Sequence, residues 1–160
     1  MLEGSVMEYV KWFVISVSLY FITITVMMMF QMNQMNSFQQ EVNYQIERHG
    51  GLTQEAIDAL SEHVENVYGS CVVELDGNGN IPADSTEKCE SPFYLKEYII
   101  EKAENEGDED TKYWYSRGET KAAFGTQIDY VIIRHIGSIN GRPLIKPTII
   151  GTSASRVRGD

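Results

Sequence analysis

Hydrophobic and polar positions follow three successive regimes along the chain. Residues 12–30 are nineteen uncharged, mostly apolar positions. That is close to the roughly twenty residues that cross the hydrocarbon core of a bilayer. From residue 31 the apolarity narrows to one stripe. Met28, Met32, Met35, Phe38, Val42, Ile46 and His49 recur at spacings of three, four and seven, which keeps them on one side of a helix. No charge interrupts residues 12–40, and no proline or glycine interrupts residues 5–49. Gly50-Gly51 is a strong stop. The pattern predicts one helix over about 6–49, roughly 65 Å long at 1.5 Å per residue. Its first half is apolar all round and its second half has one apolar stripe. That stripe needs cover from the chain's own domain or from copies of the same helix.

A second amphipathic segment follows. Ala56, Leu60, Val64 and Tyr68 repeat every four residues between Thr53, a good N-cap, and Gly69. Beyond it the period shortens. Cys71 to Leu75 has strand character, and the Asp-Gly and Asn-Gly pairs after it are turn signals. SPFYLKEYIIEKAEN, with Ser91 as cap and Pro92 in the first turn, reads as a third helix. KYWYSR, GTQIDYVIIRHI and PLIKPTIIGTSAS are rich in β-branched and aromatic residues and read as strands, with GSINGRP as the turn between the last two. The expected class is α+β: a long hydrophobic N-terminal helix (1–50), then a small globular domain (51–160) with one or two short helices and an antiparallel sheet.

A cleaved secretory signal would have a shorter apolar region, a basic front and a small-residue cleavage site. Here Glu3 and Glu8 accompany Lys11, and Gln31, Met32 and Asn33 follow Phe30. A retained helix fits better. The chain has 160 residues and a formal charge of −10, which argues against nucleic acid as a partner. The charge is uneven. Residues 52–110 hold sixteen acids against three lysines, about −13; residues 111–160 hold eight bases against three acids, about +5. This is either solvated surface or an acidic face of one subunit meeting the basic face of the next. Cys71 and Cys89 are the two cysteines. Behind an export or anchor segment they suggest a disulfide in an oxidising compartment. It would close a loop of about nineteen residues, worth on the order of 3 kcal/mol.

Other chemistry is sparse. Asp76, Asn78, Asn80, Asp84 and Glu87 fall at positions 1, 3, 5, 9 and 12 of a twelve-residue loop, the oxygen-ligand spacing of an EF-hand calcium site. Ile81 stands where that loop needs glycine, and Pro82 follows it, so a polar turn is the stronger reading. His49, His63 and His135 have no motif context, and no glycine-rich phosphate loop, serine elbow or zinc spacing is present. The expectation is a non-enzymatic protein without a cofactor.

EGSVMEYVKWFVISVSLYF resembles the N-terminal segment of type IV pilin-like proteins, nearest the TadE-like pseudopilins of tight-adherence pili. In that family a glycine precedes a short polar stretch, a glutamate and the apolar helix; Gly4, Ser5 and Glu8 stand in those places. The ending, IDYVIIRHIGSINGRPLIKPTIIGTSASR, is similar to the family's closing strand, turn and strand. The resemblance covers about the first thirty and last thirty-five residues. It implies a structural subunit of an extracellular filament. Such a subunit is membrane-held before assembly, is handled by pilus assembly machinery, and then polymerises with itself through its helices. The residues implicated are Glu3 or Glu8, to meet a neighbour's N-terminal amine, and the stripe Met28, Met32, Met35, Phe38, Val42 and Ile46. The alternative is a single-pass membrane-anchored extracellular binding or scaffolding domain.

Overall fold

The computed structural model describes residues 2–82, 89, 91–101, 111–139 and 142–158. An unbroken helix α1 (Leu2–His49) comes first. Gly50 and Gly51 end it with φ of 75° and 130°, conformations that an L side chain rarely adopts. Their amides both donate to the Ile46 carbonyl, closing the last turn. Helix α2 (Gln54–Tyr68) starts at Thr53, whose hydroxyl accepts from the Ala56 amide, and ends at left-handed Gly69. Ala56, Leu60 and Val64 are its buried face, as their four-residue spacing predicts.

Among the described residues seven strands follow: β1 (Val72–Glu74), β2 (Phe93–Glu101), β3 (Thr111–Tyr115), β4 (Gln127–Arg134), β5 (Ile136–Ile139), β6 (Arg142–Ile145) and β7 (Thr148–Ala154). The main sheet has the order β1-β2-β4-β7, with β3 also on β2. Residues 93–95 of β2 pair with β1, residues 97–101 pair with β3, and β4 covers 93–98. β1 and β3 therefore share one side of β2, end to end, and β7 forms the opposite edge. β5 and β6 make a separate two-stranded hairpin. GSINGRP is thus not only a turn: its described residues at both ends are strand.

Two expectations need correction. SPFYLKEYIIEKAEN is not a helix; its centre is β2. The cause is burial on both faces. Phe93, Tyr94, Leu95, Lys96, Glu97 and Tyr98 are all buried, which a strand with neighbours on either side achieves and a one-faced helix does not. Ser91 does not act as a helix cap. Its φ is 81°, its hydroxyl donates to the His135 carbonyl, and its own carbonyl accepts from Ser70 Oγ. The sheet is also mixed rather than antiparallel, because β1 runs parallel to β2.

The chain divides into two compact units, Met1–Asn36 and Ser37–Asp160. Within the second, the end of α1 and α2 lie on one face of the sheet. Phe38 and Tyr68 both meet the Phe93 ring, at 4.4 and 5.6 Å between centroids, and Tyr130 Oη donates to Asn43 Oδ1 at 2.6 Å. On the other face Val73, Leu75, Tyr94, Tyr98 and Val131 form a second core, flanked by Cys71, Ile81, Trp114 and Ile133.

Candidate functional site

The first unit presents an apolar surface with no polar side. Val6, Val10, Phe13, Val14, Leu19, Tyr20, Phe21, Ile22, Val26 and Phe30 are all more than half exposed, and they point in every direction around α1. The helix is long and apolar enough to cross a membrane, and its most hydrophobic window has no buried residue. Its hydroxyls suit that setting: Thr23 Oγ1 donates to the Leu19 carbonyl and Thr25 Oγ1 to the Phe21 carbonyl, each at 2.9 Å. These bonds satisfy polar groups without water, which a hydrocarbon environment demands. Glu8 and Lys11 lie exposed near the start of this surface. The side chain of Glu3 lies outside the described residues.

The stripe residues separate into two sets. Met28 and Met32 are 43% and 45% exposed, whereas Met35, Phe38, Val42 and Ile46 are fully buried. Phe38, Val42 and Ile46 belong to the second unit and are covered there, so they have no face left for a copy of the helix. Of the two covers open to the stripe, the chain's own domain takes these three.

A buried charge cluster fixes the turn between the helices. Glu97 is 2% exposed on the helix side of β2. Its Oε2 accepts from the Leu52 amide at 3.3 Å and from Arg117 Nε at 2.8 Å, while Oε1 accepts from the other guanidinium nitrogen. Around it the Gln54 amide donates to Gly118 O, Ala122 N to Gly50 O, and Ser155 Oγ to Ala122 O. The Gly50–Thr53 corner is therefore held by two later segments. On the opposite face Lys96, 4% exposed, donates to the Leu75 carbonyl at 2.6 Å and lies 3.7 Å from Glu74 Oε1. A water-sized cavity lies among Leu52, Glu74, Lys96, Glu97 and Tyr115. It has no room for an organic substrate. Reading residues 91–105 as a helix hid this pair; Lys-Glu inside an aromatic run was the available signal.

Cys71 and Cys89 are joined in a disulfide with Cα atoms 6.2 Å apart, within the usual range. Asp76 spends its carboxylate on its own turn: Oδ1 accepts from the amides of Asn78 and Asn80 at 2.9 and 2.7 Å. Gly79, at φ 74°, packs flat against the Trp114 ring, where a Cβ would collide with it. Asp84 and Glu87 lie outside the described residues, and no group of three or more metal-ligating side chains appears among the described ones. Burial, aided by nearby Lys146, holds the His135 imidazole below its ordinary pKa, and burial raises the Tyr130 phenol.

Comparison with known proteins adds one relative. An uncharacterized protein of Bacillus anthracis is 42% identical over 77 residues, which is 48% of this chain and 64% of that protein. The match thus spans just under two thirds of the relative's length. No family model and no solved structure matches the chain.

Proposed function

We propose that this chain is a structural subunit of an extracellular pilus-like filament, nearest in kind to the TadE-like pseudopilins. It is held in the membrane by the first part of α1 until those helices bundle with copies of themselves. One observation carries the reading: the surface of residues 6–30 is apolar on all sides and exposed. In water such a surface needs lipid or sister helices. Met28 and Met32, half open, extend it toward the polar segment. At about 25 cal/mol per Å2, roughly 2,000 Å2 of helix burial offers tens of kcal/mol gross, before the costs of association. The disulfide fits a domain outside the cytoplasm. The role is structural, without catalysis or cofactor. Assembly machinery and the membrane are its partners beside its own copies.

A second reading is a single-pass anchored binding or scaffolding domain. The burial of Phe38, Val42 and Ile46 inside their own domain favours it, because a lone subunit then covers the stripe from Phe38 onward by itself. Electron microscopy of material sheared from expressing cells separates the two. Fibres containing this chain support the filament. A monomer in mild detergent, with no fibres at the cell surface, leaves the anchored domain. Glu8→Ala sharpens the test: it is expected to lower fibre yield while membrane insertion stays intact, and equal yield would remove Glu8 from assembly.

A further inference from the structure

Two exposed helix faces of the second unit differ in charge. On α2 the exposed side carries Glu55, Asp58, Glu62 and Glu65, with no Lys or Arg anywhere in the helix. On the last part of α1 it carries Ser37, Gln40 and Tyr44, the last 54% exposed. At about 100° per residue these three lie roughly opposite the buried line of Phe38, Val42 and Ile46. Asn33, also exposed, stands four positions before Ser37. The spacing of Asn33, Ser37, Gln40 and Tyr44 is four, three, four, and Ile22, Val26, Met29 and Asn33 have the same spacing. Such an 11-residue repeat, at about 3.67 residues per turn, stays close to the period of the helix, so the line hardly drifts. Ile22, Val26 and Met29 are 59%, 60% and 63% exposed. No residue on this line is charged from Ile22 to Tyr44, in a chain whose net charge is −10.

The side chains on the line choose what can lie against it. Amide and hydroxyl groups both donate and accept, so each can bond a duplicate of itself; a carboxylate only accepts and an ammonium only donates. Asn33, Ser37, Gln40 and Tyr44 can each face the same residue of a second copy. The exposed side of α2 would set four acids against four. The acids that flank the line are engaged within their own chain: Glu41 accepts from Gln45 Nε2 at 2.8 Å, and Glu47 pairs with Arg156 at 3.0 Å. Two copies held in one bilayer in the same direction carry their spans at one depth, so same-numbered residues arrive at the same height. We infer that α1 of one copy pairs with α1 of a second copy, parallel and in register, along Asn33, Ser37, Gln40 and Tyr44. The inference rests on the reading of this chain as a self-assembling subunit, and it names the helix face and the register of the contact beyond the span. Polar side chains inside such a contact set its register more than its strength.

Cross-linking of the full chain in the membranes of expressing cells tests this. Ser37→Cys, Gln40→Cys, Met32→Cys and Asn66→Cys chains are expressed singly and treated with a short bis-maleimide, which the native disulfide does not consume. Met32 lies off the line on the same helix, and Asn66, exposed on α2, reports random collision. Circular dichroism of the purified chains confirms that each variant folds. The expected result is a covalent dimer from Ser37→Cys and from Gln40→Cys roughly tenfold above that from Asn66→Cys, with a yield that stays level from about 50 to 500 mM salt because no charge takes part. Gln40→Glu added to the Ser37→Cys chain sets like charges opposite each other and should lower the yield about tenfold at low salt, with recovery at high salt. An unchanged yield in that variant overturns the line as drawn. A dimer through Met32→Cys, with Ser37→Cys no better than Asn66→Cys, overturns the inference in favour of another face of the helix. Absence of any link above collision while fibres still form overturns it and leaves the filament reading standing. A Ser37→Cys link without fibres upholds the paired helices and removes the filament. Absence of both overturns both.

Discussion

The two parts of α1 are one helix facing two different surroundings. Residues 6–30 carry large apolar side chains in every direction, nearly all of them open. Residues 38–46 carry apolar side chains in one line, and Phe38, Val42 and Ile46 are wholly enclosed. Helix propensity does not distinguish the two parts. The neighbour does: an isotropic apolar medium asks for apolarity all round, and a single protein face asks for a stripe. Between them, Gln31, Asn33, Gln34 and Asn36 supply polarity without charge. Further along the helix, Gln45 Nε2 donates to Glu41 Oε1 at 2.8 Å.

Placing a carboxylate on each part should break the comparison most visibly. Val42→Asp buries an unpaired charge and should cost more than about 4 kcal/mol, seen as loss of the cooperative urea transition by near-ultraviolet circular dichroism. Val14→Asp, at a position 56% exposed, should leave that transition unmoved and instead reduce the fraction of chain retained in carbonate-washed membranes. An unfolding effect at Val14 would mean that the first unit is not independent of the domain. Arg117→Met comes next. It strands Glu97 without its guanidinium and should cost about 3–5 kcal/mol, while Glu97→Gln with Arg117→Met together should recover part of that loss. Replacing both cysteines by serine should cost on the order of 3 kcal/mol through the freed loop, read as a lower urea midpoint, with membrane retention unchanged.

The smallest effect is the dependence on pH. The His135 imidazole titrates below its ordinary value in the folded chain, so the unfolded chain binds the proton more readily. Stability should therefore be complete above about pH 6.5 and decline as the pH falls from there toward the lowered value. The slope should be shallow, because the ring is only partly enclosed and solvent screens the charge. His135→Gln should flatten it; an unchanged slope in thermal melts from pH 7 to 5 would assign the dependence to other groups.

The α+β class, both helices and most of the strands were legible because their signals are local. Glycine pairs, the Thr53 cap and the four-residue repeat of α2 act within a turn or two. β2 was not legible. Its Ser-Pro opening imitates a helix start, and only its position between strands, with protein on both faces, decides otherwise. The parallel pairing of β1 was hidden for a similar reason: turn residues at 76–80 promise a hairpin, and Asp76 does close a tight turn there, but the strand returns later. The apolar surface of residues 6–30 was plain from composition. The allocation of the stripe was not, since periodicity shows that a face is covered and not by what.

Tyr130 reaches Asn43 across 87 positions of sequence, and this has a consequence for biogenesis. A ribosome adding 5–20 residues per second needs on the order of ten seconds to cover that interval. During that time the rod has emerged and its seam at Phe38, Val42 and Ile46 has nothing to lie against. A newborn chain must therefore keep that seam sheltered until the strand that completes it arrives.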